Sequence, residues 1–303
     1  MKLFLHIGWP KTGTTSLQEH LSKFHGDPDG ELWYPPVGLS GGDPSHSFLS
    51  HTLSGRDDWG LLDALEVADA AQGAVFLSDE NVFVEFPGAT PALRSRFGEL
   101  LGGVEVTVVS VGRAAAAWQR SFYLQAVQLG RSAFSPGYAT ANSLWSTSDR
   151  FADFWKRPYA AQLLDGATLE DEIAELVGAA RIIRLRYESG GDIVAAMRAA
   201  LALPPVDAAA PIRRNESLSD VQGEILRQAN GFSTEDARNV RMLIARRNGW
   251  PTRRRRMQRI PDWAAKFDWT RLRYVPNPPL VYDAANFEAE VAALRDIATR
   301  ASR

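Results

Sequence analysis

The chain has 303 residues, 45% hydrophobic and 23% charged, with 34 Lys and Arg against 36 Asp and Glu. That is apolar surface enough for a large core, and a formal net charge of −2 makes no global field that would draw in nucleic acid or an anionic membrane. No cysteine is present, which excludes disulfides, thiolate nucleophiles and cysteine-bound zinc. The start of the chain lacks the basic-then-apolar pattern of a leader, and no apolar run is long enough to span a bilayer, so a cytoplasmic protein is expected.

Leu3, Phe4, Leu5 and Ile7 make a short apolar run, as a strand buried on both faces would. Gly8 and Pro10 break it. Leu17, Leu21 and Phe24 then recur at helical spacing, so a helix is expected from about Thr14. Strand, tight loop and helix bring backbone N–H groups and a helix N-terminus together on an anion. Lys11 adds a mobile charge, Gly13 lets the backbone close in, and Thr14, Thr15 and Ser16 add hydroxyls. The Walker order, with Lys directly after the second Gly, is absent because Lys11 comes two residues before Gly13.

Further along, residues 31–34 read as a second strand ended by Pro35 and Pro36, and residues 38–44 as a loop. Ser45 is expected to cap a short helix carrying His46, Leu49 and Leu53. Residues 59–71 read as an amphipathic helix, residues 74–77 as a buried strand followed by Ser-Asp-Glu-Asn, and a helix starts at Thr90 or Pro91. Residues 104–111 form the strongest strand pattern. Residues 149–164 look helical with a break at Pro158. Thr168 is expected to cap the next helix, with Asp171 in the capping-box position. Residues 181–187 alternate like a strand, and Asp192 opens a helix after it. A Pro- and Ala-rich linker leads to helices over 217–230 and 233–247, a run of four arginines, an irregular aromatic stretch over 262–279, and a last helix over 286–301.

This alternation implies an α/β three-layer sandwich: a central parallel sheet with a P-loop after its first strand, helices on both faces, and a helical C-terminal part. Residues 1–205 are expected to form the core and residues 206–303 a mainly helical extension packed on it, one structural domain overall. Ligands of such sheets sit outside the carboxyl ends of the strands.

The run Pro10-Lys11-Thr12-Gly13-Thr14-Thr15-Ser16-Leu17 resembles the P-K-x-G-T-T-x-L phosphosulfate loop of the sulfotransferases. The resemblance implies 3′-phosphoadenosine 5′-phosphosulfate (PAPS) as donor, held by Pro10, Lys11, Thr12, Gly13, Thr14, Thr15 and Ser16. Arg113, Ser121 and Tyr123 also match that family, which carries an Arg at a strand end, a Ser eight residues later and often a Tyr two beyond. The resemblance implies that Arg113 and Ser121 hold the 3′-phosphate. Ala114 to Ala117 depart from it, standing where relatives often have Asn or Asp, Pro and another acid. Tyr187-Glu188 resembles a late Tyr-Glu pair of the family. Family members often close the donor site with a basic segment, so Arg213, Arg214 or Arg253 to Arg256 are candidates, although a solvated basic patch is the plainer reading of the four-arginine run.

Sulfuryl transfer needs stabilisation of negative charge on the transferring group and the departing nucleotide, and a base for the acceptor's proton. Lys11 fits the first need. Glu80 and His46 are the candidate bases, with His51 a third; each also has an ordinary structural reading. No metal is expected. The acceptor class stays open, a small molecule such as a phenol or a saccharide, with lipid and peptide also open, and Trp33, Tyr34, Trp145 and Trp155 are candidate lining for a sugar or aromatic site. The rival readings are a phosphotransferase using ATP and a nucleotide-binding regulator without a base, the alanine run after Arg113 favouring the latter.

Overall fold

The computed structural model describes residues 2–27, 29–39, 44–56, 59–69, 73–129, 143–187, 191–205, 218–250 and 266–301. Two compact units emerge. The first comprises Met1–Trp118, Ala133–Ser143 and Ala161–Glu216, and the second Gln119–Ser132, Leu144–Ala160 and Ser217–Arg303. The second unit therefore takes in two segments from the middle of the chain besides the expected C-terminal part.

The first unit is built on a sheet that has five strands among the described residues, β1 (Lys2–His6), β2 (Leu32–Trp33), β3 (Ala74–Ser78), β4 (Glu105–Gly112) and β5 (Arg181–Arg186). They lie in the order β2-β3-β1-β4-β5, and every pairing is parallel. A parallel sheet is covered on both faces, which is why its strands read as apolar runs. On one face Phe76, Val109, Val111 and Ile183 pack with Leu17 and Leu21 of α1 (Thr14–Phe24) and with Met197, further along the chain. On the other face Ser110 and Arg184 both reach Glu170. The α/β architecture with helices on both faces is thus as expected.

The chain leaves β1 toward β2 and leaves β4 toward β5, in opposite directions. The reversal falls at the carboxyl ends of β1 and β4, the place where doubly wound sheets bind ligands. Past the end of β1 the ladder continues through Ile7 N–H to the Val109 carbonyl at 3.0 Å and Trp9 N–H to the Val111 carbonyl at 3.1 Å.

Several elements differ in detail from the sequence reading. Helices α2 (Phe48–Leu53), α3 (Trp59–Asp69) and α4 (Asn81–Glu85) follow in order, and α4 was not foreseen. His46 lies before α2 rather than within it, because its backbone N–H is drawn to the Ser78 carbonyl at 2.8 Å. Helix α5 (Pro91–Leu100) starts where expected, with Thr90 as its cap, and α6 (Ala115–Gln128) follows β4. The stretch 149–164 forms two short helices, α7 (Phe151–Phe154) and α8 (Pro158–Gln162), since proline is accepted in the first turn of a helix and not in its interior. Helix α9 (Gly166–Leu176) is capped three residues earlier than expected: Asp165, not Thr168, is the cap, and Thr168 supplies the N–H that Asp165 accepts at 3.3 Å. Asp192 caps α10 (Ile193–Ala200) as expected.

The second unit contains α11 (Asp220–Asn230), α12 (Thr234–Arg247) and a last helix, Ala284–Ala301. Ser219 and Ser233 cap the first two. Leu226, Val240, Leu243, Phe287 and Leu294 are buried among them. Tyr123 of α6 accepts from Asn277 Nδ2 at 3.0 Å, and Asn277 Oδ1 accepts from the Phe151 N–H at 3.0 Å, tying a loop to this unit.

Candidate active site

The cradle is the turn between β1 and α1. Lys11 and Gly13 both take positive φ, 68° and 79°, so the chain doubles back sharply before the helix begins. Gly13 is the residue before α1 and no side chain caps the helix. Nor does the first turn carry an acid. The Ser16 N–H turns back to the Gly13 carbonyl at 3.0 Å, and the first turn of α1 carries the positive end of the helix dipole, which favours an anion there. A side chain at Gly13 would meet the Tyr187 ring, 2.7 Å from an ideal Cβ, so glycine is required both by the φ and by the packing.

The turn is held from three sides. Thr12 Oγ1 donates to the Trp9 carbonyl at 2.5 Å and is fully buried. Trp118 Nε1 donates to the Pro10 carbonyl at 3.0 Å. Trp9 donates its indole N–H to Glu170 Oε1 at 2.7 Å, stacks on Phe83 with centroids 5.5 Å apart, and meets the edge of Trp118 at 5.0 Å. Gly166 allows the indole this close approach, since a Cβ there would stand 2.1 Å from it.

The charges gather around Lys11. Burial pushes its ammonium below the ordinary lysine value; Glu80 pulls it back up and Arg113 pushes it further down. Two residues expected from the sequence, Glu80 and Arg113, thus lie within electrostatic reach of Lys11. Arg113 sits 5.6 Å from the centroid of the Tyr187 ring, and Tyr187 N–H donates to the Gly112 carbonyl at 2.8 Å. Thr14 is buried, while Thr15 and Ser16 are partly exposed on the first turn of α1. Ser121 lies on α6, in the part of that helix belonging to the second unit.

His46 is in a different situation. It is fully buried, its Nε2 lies 2.9 Å from the Pro35 carbonyl, and its Nδ1 accepts from the Ser78 N–H at 3.0 Å. A carbonyl needs a donor and an N–H an acceptor, so the ring is the neutral Nε2–H tautomer with both nitrogens in use. Burial lowers its pKa to about 4. The ring ties the 35–46 loop to the end of β3 and leaves no nitrogen for an acceptor's proton. His51 Nε2 faces Arg56 at 3.0 Å.

Asp79 escaped the sequence reading. It is fully buried and accepts from the Ser50 N–H at 3.0 Å, the Asn81 N–H at 2.9 Å and Asn81 Nδ2 at 3.0 Å. It fixes the backbone on which Glu80 stands. The Asp-x-Asn spacing before a helix was the available signal. Gln18 and Glu170 were also missed, because a polar residue in a helical pattern has no local feature that names its partner. Trp33, Tyr34, Trp145 and Trp155 are each less than a tenth exposed, core residues rather than an acceptor lining. Glu188, Arg213, Arg214 and Arg253 to Arg256 lie outside the described residues.

Among the described residues no three His, Asp or Glu side chains gather as a metal site would require, and no helix is long and apolar enough to cross a membrane. No family model matches the chain, and no curated protein does. Among solved structures, the crystal structure of a sulfotransferase from Alicyclobacillus acidocaldarius is similar over 82% of this chain and 96% of that one, with a TM-score of 0.40 and 15% identity. A likeness that low carries no function, and the functional reading rests on the residues themselves.

Proposed function

We propose that the protein is a sulfotransferase that moves a sulfuryl group from PAPS to a hydroxyl or amine of a small-molecule or saccharide acceptor. The observation that supports this reading is the gathering of Lys11, Arg113 and Glu80 at an uncapped helix N-terminus. Two cations and a row of amides suit a donor with anionic groups at both its 5′ and 3′ ends, and one carboxylate suits the acceptor's proton.

The donor supplies an activated sulfuryl group, which transfers as the acceptor's oxygen or nitrogen bonds to sulfur and the bridging sulfur–oxygen bond breaks. Lys11 and backbone N–H groups of the turn that follows Pro10 meet the charge that builds on the departing phosphate. Arg113 forks onto the 3′-phosphate. Glu80 takes the acceptor's proton, and its own charge holds Lys11 in the cationic form against burial. His46 is not assigned a role in proton transfer, since both its nitrogens are occupied.

The ATP-dependent alternative has a specific difficulty. The hydroxyl that directly follows Lys11 belongs to Thr12, which is buried and committed to the Trp9 carbonyl, whereas a Walker hydroxyl turns to magnesium. Calorimetric titration of the protein with 3′-phosphoadenosine 5′-phosphate, beside ATP with magnesium, tests the reading. Binding of the first in preference to the second is expected. No binding of the first at millimolar concentration would overturn the proposal.

A further inference from the structure

Gln18 is a carboxamide on the buried side of α1, 2% exposed, beside Leu17 and near Leu21, which are fully buried. An amide in that place is unfavourable unless its N–H groups find acceptors. Gln18 Nε2 donates to Ser78 Oγ at 3.0 Å and to Glu80 Oε2 at 3.4 Å. Glu80, as an ionised carboxylate, only accepts, so the amide nitrogen and not its oxygen must face it. Ser78 Oγ is then an acceptor toward Gln18, and its own proton is free to go to His6 Nδ1, 2.7 Å away. His6 can receive it because burial lowers its pKa to about 3 and keeps the ring neutral. His6 and Ser78 face each other across the β1–β3 register, so this chain of hydrogen bonds starts in the sheet and ends at the cradle.

We infer that Gln18 is a positioning residue: it holds the Glu80 carboxylate beside Lys11, anchored through Ser78 and His6 to the ends of β1 and β3. Asp79 fixes the Glu80 backbone, and Gln18 adds a restraint on the side chain, which is partly exposed at the start of a short helix. Fixing a rotamer-rich carboxylate in advance removes an entropic cost from the proton-transfer step. The kinetic consequence rests on the sulfuryl-transfer reading above; the placement of Glu80 does not.

The test is Gln18→Met, which keeps length and volume and removes the donors. With PAPS and a competent acceptor, kcat is expected to fall about tenfold to a hundredfold, the size of a lost hydrogen bond to a charged group. Affinity for 3′-phosphoadenosine 5′-phosphate should not change. The acid limb of the pH–rate profile should move to higher pH, because a carboxylate that loses a donor is protonated more readily. In a Glu80→Gln background the same substitution should add no further loss. An unmoved pH profile, or an equal loss in both backgrounds, would overturn the inference. Crystal structures of the wild type and Gln18→Met supply a readout independent of turnover: the Glu80 carboxylate should be displaced in the variant, and a carboxylate that stays in place would refute the positioning role. If the wild type does not transfer sulfuryl groups, the functional reading fails by itself while those two structures still decide the role of Gln18. Should Gln18→Met fail to fold, Ser78→Ala removes one anchor and is expected to act in the same direction at smaller size, with no effect on kcat counting against the inference.

Discussion

Trp9 and Glu170 are 161 residues apart in sequence and joined by a 2.7 Å hydrogen bond from the indole N–H to the carboxylate. Glu170 also accepts from Ser110 at 2.5 Å and from Arg184 Nε at 2.8 Å, and is itself buried. One carboxylate therefore binds the cradle turn, the neighbouring strand β4 and the strand beyond it.

Replacing that carboxylate leaves the Trp9 N–H and the Ser110 hydroxyl with no acceptor in place, while Arg184, half exposed, can turn to water. Glu170→Ala should lower stability by about 2–4 kcal/mol, the range for a lost buried network member. Trp9→Phe, which removes one donor and keeps the ring contacts, should cost about 1 kcal/mol. Urea denaturation measures both. Equal losses from the two variants would mean that ring packing and not the carboxylate holds the turn.

Lys11 and Arg113 should separate in kinetics. Lys11→Ala is expected to reduce kcat by about a hundredfold or more, as for removal of a donor to developing charge, with the melting temperature little changed because the lost attraction to Glu80 is offset by the lost burial cost of the ammonium and its repulsion with Arg113. Arg113→Ala should weaken 3′-phosphoadenosine 5′-phosphate by about 2 kcal/mol, and weaken adenosine 5′-phosphosulfate far less. Titration of both nucleotides against both variants checks the assignment, and an Arg113→Ala protein that still prefers the 3′-phosphorylated nucleotide would remove Arg113 from that role.

Glu80 and His46 should differ in kind. Glu80→Gln is expected to lose turnover by about a hundredfold or more while remaining fully folded, as a general base would. His46→Ala should instead lower stability by about 2–3 kcal/mol, since it strands the Pro35 carbonyl and the Ser78 N–H, with the folded fraction still active. Comparing kcat per folded molecule with the denaturation midpoint distinguishes them; a stable but inactive His46→Ala protein would reverse the assignment.

Acid should destabilise the fold before most of its carboxylates are neutralised. Burial lowers His6 to about 3 and His46 to about 4; burial, then His25 and Arg198, lowers His20 to about 4. Arg198 NH1 faces both His25 Nε2 at 2.9 Å and His20 Nε2 at 3.4 Å, contacts that need neutral rings. Each histidine, at 6.5 when unfolded, takes up a proton in the unfolded chain that the folded one refuses. Their contribution is complete above pH 6.5 and is lost as the pH falls toward 4. Asp79 acts in the opposite sense: burial raises it from 3.8 to about 6, so its share is present below 3.8 and lost as pH rises through 6. His25 is lowered too, by burial and then Arg198, so four histidines against one aspartate leave a net loss on acidification. The urea midpoint should drop between pH 7 and pH 5, and an unchanged midpoint would show that these rings are protonated in the folded state.

Spacing along the chain was sufficient for the local pieces. The apolar run before Gly8, the helical period after Gly13 and the order Pro10-Lys11-Thr12-Gly13 together specify a strand, a turn and a helix, because each depends only on near neighbours in sequence. The same holds for the Thr90 and Asp192 caps, whose side chains reach amides two or three residues on. Where two caps competed within three residues, as at Asp165 and Thr168, local pattern was not enough, since both residues satisfy the same rule.

What tertiary structure alone decided is which distant groups share a site. A parallel sheet joins strands through long crossovers, so the partner of a residue is set by strand order and register and not by proximity in the chain. Register places His6 opposite Ser78, and thereby lets Gln18 reach Glu80; strand order brings Arg113 to Lys11; and a helix between β4 and β5 carries Glu170 back to Trp9. His46 and Glu80 looked alike as candidate bases in the sequence. Burial and hydrogen bonding separated them, occupying both nitrogens of one and leaving the other beside the cradle lysine, because a polar group's role depends on the partners that folding supplies.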